Sequence, residues 1–355
     1  MSSSAVVPGP AQGRRPVGHG PREWVRAFTG FYPPTAEDMA QLDPVARFLY
    51  SARSVILVIS FQAALLAGLL ALGDRRFDIL SFVLVFLGFV ILHAISNLSN
   101  DYFGARRGHD SADSPRRRYT VHPVLSGAVS TRLLVTGLVI LSIAAVSIAA
   151  YFIALRGAPA VWLVIAGALV LWAYDAAPRA LKEIGLGEVA AFAVWGPLMI
   201  AGGYFVITGV SSTSVLLASL PYGLGVMSIL VGKHIDQRVF DSGKGQNTLP
   251  VLLGEQYSRR LNRIVVIAMY LLVVLGVVLG MLTPFVLLVG FAIPRGLHAL
   301  RVMSVAAPEA PPAGYVGWPL WFHRVCLVHN RLFGWLYLAG FALGALMPEV
   351  RFSLV

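Results

Sequence analysis

Two short stretches of the chain concentrate residues that could do chemistry. The first reads NLSNDYFGARRGHDSADSPRRR, from Asn97 to Arg118. Asn97 and Asp101 are four apart, so on a helix they share a face, with Asn100 beside them. Asp110 and Asp113 follow in a loop. The second reads KHIDQRVFDSGKGQNTLPVLLG, from Lys233 to Gly254. Asp236 is three past Lys233 and shares its face. Asp241 is five past Asp236, so it reaches the same site only if the helix ends or frays there.

Asp101, Asp110, Asp113, Asp236 and Asp241 offer oxygen ligands without cysteine or a histidine pair, which suits Mg²⁺. Arg106, Arg107, Arg116 to Arg118, Lys182, Lys233 and Lys244 lie among or near them. A divalent cation with Arg and Lys is what a diphosphate requires. The plainer alternative is that the carboxylates solvate helix ends and pair with nearby Arg. His109 and His122 have no metal spacing to a partner. His93, one turn before Asn97, is either a packed, hydrogen-bonded histidine or a group near a substrate. Cys326 is the single cysteine; flanked by apolar residues, it reads as packing.

The elements that position these residues follow from composition. Of 355 residues, 57% are hydrophobic and 13% charged, against about 25% charged in soluble domains. Such a chain has no polar coat, which excludes a soluble enzyme; scarce charge and dispersed Gly and Pro exclude disorder and coiled coil. Apolar runs of about 20 residues read as membrane-spanning helices. Nine are expected, near 50–73, 77–103, 131–155, 158–175, 185–209, 212–240, 257–281, 283–304 and 331–351. Residues 1–47 are polar, lack the apolar run of a secretory signal, and read as a solvated cytoplasmic tail before a membrane domain over 48–355.

With the N-terminus cytoplasmic, all but four of the 28 Lys and Arg fall in or beside cytoplasmic segments. The four are Arg75, Arg76, Arg156 and Arg351. That asymmetry sets the orientation, puts the C-terminus outside, and accounts for most of the +11 net charge without nucleic acid. Both carboxylate clusters then lie on the cytoplasmic side, after spans two and six. Their symmetric placement hints at an internal repeat of four spans. Pro294 should kink the eighth span. Segment 305–330 is Pro-rich, then Trp-rich, and fits an interfacial stretch anchored by Trp318 and Trp321.

The two clusters resemble the Asp-rich motifs of the UbiA superfamily of intramembrane prenyltransferases. Residues 174–209 (YDAAPRALKEIGLGEVAAFAVWGPLMIAGGYFVITG) are similar to the middle of its menaquinone branch, the 1,4-dihydroxy-2-naphthoate polyprenyltransferases; TVHPVLSGAVS and NTLPVLLG fit the same branch. The resemblance covers about residues 50 to 300. It implies an all-α, nine-helix membrane bundle and Mg²⁺-dependent transfer of a prenyl group from a polyprenyl diphosphate to an aromatic acceptor, in a bacterial inner membrane. Asp101 and Asp110 match acids of the first motif, and Asp236 and Asp241 those of the second; Asp113 is a further candidate ligand. Asn97, Asn100, Arg107, Tyr174, Arg179, Lys182 and Lys233 are the implied substrate-binding residues. Phe103, Tyr174 and Trp195 could face an allylic cation.

The sequence departs from the family pattern. Gly104 stands where the first motif has its middle Asp. Gly232, Lys233 and Ile235 replace two Asn and an Arg, and Gln246-Asn247 replaces a Lys-Arg pair. Gly104 removes an acid and Lys233 adds a base, and both make the site less negative; the expectation is that Asp113 supplies the missing ligand, that one tightly held metal suffices, or that catalysis is reduced. The alternatives are a relative with another acceptor or donor, a CDP-alcohol phosphotransferase, and a lipid-binding or transport relative without the chemistry.

Overall fold

The computed structural model describes residues 17–29, 34–111, 113–115, 121–315 and 317–349. Arg116 to Arg118 and the first 16 residues lie outside them. The described residues contain helices and connections and no strand.

Three short helices precede the apolar ones: α1 (Pro21–Thr29), α2 (Ala36–Gln41) and α3 (Pro44–Ser51). The long elements follow as α4 (Ser54–Gly73), α5 (Ile79–Arg106), α6 (Thr131–Arg156) and α7 (Ala158–Asp175). Then come α8 (Gly187–Ala193), α9 (Gly202–Thr208), α10 (Thr213–Gly243), the short α11 (Leu249–Leu253), α12 (Glu255–Val278), α13 (Ile293–Val302) and α14 (Phe322–Leu346). Local chemistry sets the ends. Asp78 accepts the Ser81 N–H at 2.7 Å and Ser130 the Leu133 N–H at 3.2 Å, satisfying donors at the starts of α5 and α6. Gly157, at φ 68°, turns α6 into α7, a conformation glycine adopts without penalty.

The expected span 185–209 is not uniform. Between α8 and α9, Val194–Ala201 is π-helical and contains Pro197. Proline lacks the N–H that an α-helical bond needs, and π turns recur at functional sites. The eighth span is likewise split: Pro284–Ala292 is 3₁₀ and α13 begins at Ile293, with Pro294 in its first turn. The proline expected to kink this span sits at that junction.

Among the described residues, eight segments are long and apolar enough to cross a membrane, where nine were expected. The ninth expected span, 331–351, falls in α14. This helix has length enough at 25 residues, but Arg324, Arg331, His323, His329 and Asn330 dilute its hydropathy. It starts before the expected span, so Phe322–Asn330 of the expected interfacial segment is helix.

The tightest packing joins α10, α12, α14 and the 3₁₀ stretch, around Ala218, Met269, Val273, Val286, Phe333 and Tyr337, each under 1% exposed. By contrast, α6 buries only Leu134 and Phe152, and its Val139, Ile140 and Ile143 are exposed. In α7 only Ala160 and Asp175 are buried, and Trp162, Leu169 and Trp172 are exposed. Apolar side chains outward and little burial suit a lipid-facing pair.

The described part of the tail is not simply solvated. Met39, Leu42 and Ala46 are buried together, and Phe28 of α1 meets Phe61 of α4 at 5.8 Å between ring centres. Asp43 ties the segment: it accepts N–H bonds from Val45, Ala46 and Gly20, and one from the Trp24 indole, each at 3.0 Å. The Ala46 bond foremost holds its pKa at about 2.

Candidate functional site

A cavity of about 1010 Å³ lies between the C-terminal half of α5, the α7–α8 connection and α10, and extends between α5, α6, α7 and the π-helical stretch. Its polar end is lined by Arg53, Asn100, Asp110, Lys182, Lys233, His234, Gln237 and Asp241. Leu92, Val146, Phe152, Leu163, Leu171 and Met199 line the apolar remainder. Polar groups thus cluster at one end of an apolar slot.

On α5, Asp101 is fully buried and paired with Arg53. Arg53 is at the N-terminal end of α4 with φ 57°, left-handed backbone uncommon outside glycine. The chain leaves α5 through Gly108, at φ 73°, and curls back so that the Asp110 N–H bonds the Gly104 carbonyl at 3.0 Å. A Cβ on residue 104 would overlap the Asp110 carboxylate. The missing side chain therefore makes room for Asp110, nine residues past Asp101, to fold back over the helix.

His122 completes this cluster. Ligand atoms of Asp101, Asp110 and His122 all lie within 4.8 Å of one another. His122 has no ligand spacing in the sequence because a loop brings it back. Its Nδ1 accepts the Leu125 N–H at 3.3 Å, which leaves the hydrogen on Nε2, 3.3 Å from Asp110 Oδ2. The imidazole so arranged donates to the carboxylate. The cation ligands on offer here are then carboxylate oxygens, a donor set that fits Mg²⁺. Arg53 holds the charge of Asp101 in this arrangement, so a bound cation must share or displace that bond.

The facing wall holds a buried ion pair and a buried histidine–carboxylate contact. Lys182 Nζ is 2.7 Å from Asp175 Oδ1, which also accepts the Asn100 amide at 2.9 Å. His234 Nδ1 is 2.7 Å from Glu188 Oε1. Asp175 Oδ2 and Glu188 Oε2 are buried with no hydrogen-bond partner among the described residues. Buried carboxylates and cations in a membrane protein are costly and mark functional positions.

The two acids of α10 part company. The helix continues to Gly243, so five residues rotate Asp241 about 140° from Asp236. The fraying needed to unite them does not occur. Lys233, His234, Gln237 and Asp241 line the cavity. Asp236 is not among the lining residues; its carboxylate accepts the N–H groups of Phe322 and His323 at 2.9 Å each, satisfying donors at the start of α14. Gly232, one turn earlier, lies so close to α14 that a Cβ there would stand 2.9 Å from the Phe322 carbonyl.

The remaining expected residues divide. Tyr174, Asn97 and Asn100 line the cavity, although Asn97 gives its amide hydrogen to the Ala52 carbonyl at 2.9 Å. Arg107 binds Glu183 at 3.0 Å and the Ala176 and Ala177 carbonyls, which fixes the α7–α8 connection. Arg179 is exposed and outside the lining. Asp113 stands apart on the surface, 3.6 Å from Lys244; a Ser111 hydrogen bond lowers its pKa. Of the aromatics expected to face a cation, Tyr174 and Trp195 line the cavity, while Phe103 packs on Tyr102 and under Arg107.

Arg53, Asp175, Glu188, Gln237 and His234 were not anticipated. Asp175 and Glu188 carried a readable signal, as carboxylates at the ends of apolar spans. Arg53 had none, being one of many Arg near the tail.

Comparison with known proteins identifies the family. The profile of the UbiA prenyltransferase family matches residues 62–315. The 1,4-dihydroxy-2-naphthoate octaprenyltransferase of Escherichia coli (strain K12) is 26% identical, over 75% of this chain and 89% of that protein. The enzyme of the same name from Bacillus subtilis (strain 168) is 23% identical, over 69% and 78%. Among solved structures, a UbiA homolog from Archaeoglobus fulgidus bound to GPP and Mg²⁺ superposes with a TM-score of 0.56 at 14% identity, over 83% of this chain and 99% of that one.

Proposed function

This chain belongs to the UbiA prenyltransferase family, and on that premise we propose that it transfers a polyprenyl group from its diphosphate to 1,4-dihydroxy-2-naphthoate. The step belongs to menaquinone biosynthesis and depends on Mg²⁺. The protein is an integral membrane transferase. We assign it to a bacterial inner membrane on its bacterial relatives, with the N-terminus cytoplasmic and the C-terminus outside on the Lys and Arg asymmetry.

The observation that carries the reading is a cavity with carboxylates and cations at one end and apolar walls over the rest. A polyprenyl diphosphate has the same division. Its head group meets Lys182, Lys233 and Arg53, which supply positive charge to the leaving oxygens. Its tail lies along the apolar wall between α5, α6 and α7. Asp101 and Asp110 would hold Mg²⁺ on the first side, and Asp241 contributes oxygens opposite. The metal supplies charge neutralisation for a diphosphate leaving group.

In the reaction, the bond between prenyl C1 and the diphosphate oxygen breaks and its electron pair leaves with the diphosphate. A ring carbon of the acceptor bonds to C1 and releases its proton. Tyr174 and Trp195 offer ring faces to the developing allylic cation, and the apolar wall keeps water from it. Relatives of the same names and a neighbour holding GPP and Mg²⁺ support this reading.

The test is a product assay on detergent-solubilised protein, with prenyl diphosphates of several lengths, a panel of aromatic acceptors, and Mg²⁺ or chelator. Mg²⁺-dependent prenylated product with 1,4-dihydroxy-2-naphthoate is expected. Product with another acceptor only moves the enzyme to a different pathway. No product from folded protein overturns the transferase reading in favour of a lipid-binding relative.

A further inference from the structure

His93 is buried, lines the cavity and sits on α5 eight residues before Asp101, a rise of about 12 Å along the helix. It is therefore deeper in the slot than the carboxylate end. Two neighbours fix its chemistry. Trp195 Nε1 donates to Ser60 Oγ at 3.2 Å, and Ser60 Oγ lies 2.8 Å from His93 Nδ1. The indole can only donate, so Ser60 accepts from it. Ser60 is fully buried, and its hydroxyl hydrogen has one partner among the described residues, His93 Nδ1. In the opposite tautomer, with the hydrogen on Nδ1, that hydroxyl hydrogen would be stranded, and stranded buried donors are costly. The chain of bonds thus runs from Trp195 to Ser60 to His93, and the ring hydrogen resides on Nε2.

His93 Nε2–H has no protein acceptor among the described residues. The imidazole and indole meet edge-on, with ring centres 5.1 Å apart, so Trp195 fixes the ring plane as well as the tautomer. Met199, Val226 and Ile229 are among the apolar residues that line the same cavity, and a fixed donor in a mostly apolar cavity orients a ligand.

We infer that His93 anchors the acceptor, donating from Nε2 to an oxygen substituent of an aromatic ring, and selects for acceptors that carry one. This rests on the transferase reading above. A donor-only imidazole does not take the ring proton, so His93 positions the acceptor rather than acting as its base. The Trp195–Ser60 pair acts through His93 and is a positioning pair.

The experiment measures binding without turnover on the detergent-solubilised full chain, by calorimetric titration with two probes. One is 1-hydroxy-2-naphthoate, which bears the oxygen; the other is geranyl diphosphate with Mg²⁺. His93→Leu is expected to weaken the naphthoate about tenfold and leave geranyl diphosphate within about twofold. His93→Gln keeps an N–H donor and should hold the naphthoate within about threefold. Ser60→Ala releases the tautomer and should weaken it about threefold; if His93→Leu does not fold, these two variants decide. Unchanged naphthoate binding in the variants, equal loss of both probes, or no naphthoate binding by the wild type overturns the inference. The transferase reading fails on a separate readout, absence of Mg²⁺-dependent diphosphate release.

Discussion

α5 and α10 end in similar sequence, with acids, amides and bases within a few turns, yet the two ends are used differently. On α5 the chain folds back on itself. Gly104 leaves a space, Asp110 fills it, and Asp101, Asp110 and His122 form one cluster. On α10 the helix runs straight on, and its acids fall on two faces. Gly232 and Asp236 make the face that receives α14; Lys233, Gln237 and Asp241 make the face toward the cavity. A missing side chain serves close approach in both places, to a carboxylate on α5 and to backbone on α10. The lesson is that an acid in a motif earns its role from helix phase: one residue's difference sends Asp236 to a neighbouring helix and leaves Gln237 at the cavity.

The comparison can be broken by substitution. The largest effect is expected for Asp101→Asn, a fall in turnover on the order of a thousandfold, read as prenylated product per folded protein. Wild-type turnover from this variant would remove the α5 cluster from the chemistry. Asp241→Asn should cost about a hundredfold in the same assay. Gly104→Ala tests the space itself: the added methyl pushes the Asp110 carboxylate aside, and half-saturating Mg²⁺ should rise about tenfold. An unchanged Mg²⁺ titration would mean that Asp110 is not held there for the metal.

The smallest effects on turnover are expected on the other face of α10. Asp236→Ala should leave turnover within about threefold and lower stability by about 1–2 kcal/mol, seen in thermal unfolding in detergent. Gly232→Ala should do the same, at about 1–3 kcal/mol. If Asp236→Ala abolishes turnover while the unfolding temperature holds, the division of faces is wrong.

Much of this was legible in the sequence, for identifiable reasons. Eight of the spans fall close to where apolar runs place them, because lipid demands a long apolar segment. The gathering of Asp101, Asp110 and Asp241 near one end of the spans was visible as charge at span ends. The direction of each side chain was not. Asp236 and Asp241 both look like site residues until the point at which the helix stops is known, and that point depends on α14. His122 was illegible because only a loop brings it to Asp110. The ninth expected span coincides in large part with α14, whose buried His329 and Asn330 lower its hydropathy below that of the other eight.

The sparse burial of α6 and α7 has a kinetic consequence. One wall of the slot is made by helices with exposed apolar outer faces, so on the proposed transferase reading a long-tailed donor would enter sideways, out of the bilayer. Its supply is then counted as mole fraction among lipids, and the volume of the assay is irrelevant to it. Diluting the donor with added detergent at constant molarity should slow the reaction, whereas diluting the water-borne acceptor follows ordinary concentration. An apparent KM for the donor has meaning here only when it is stated per amphiphile.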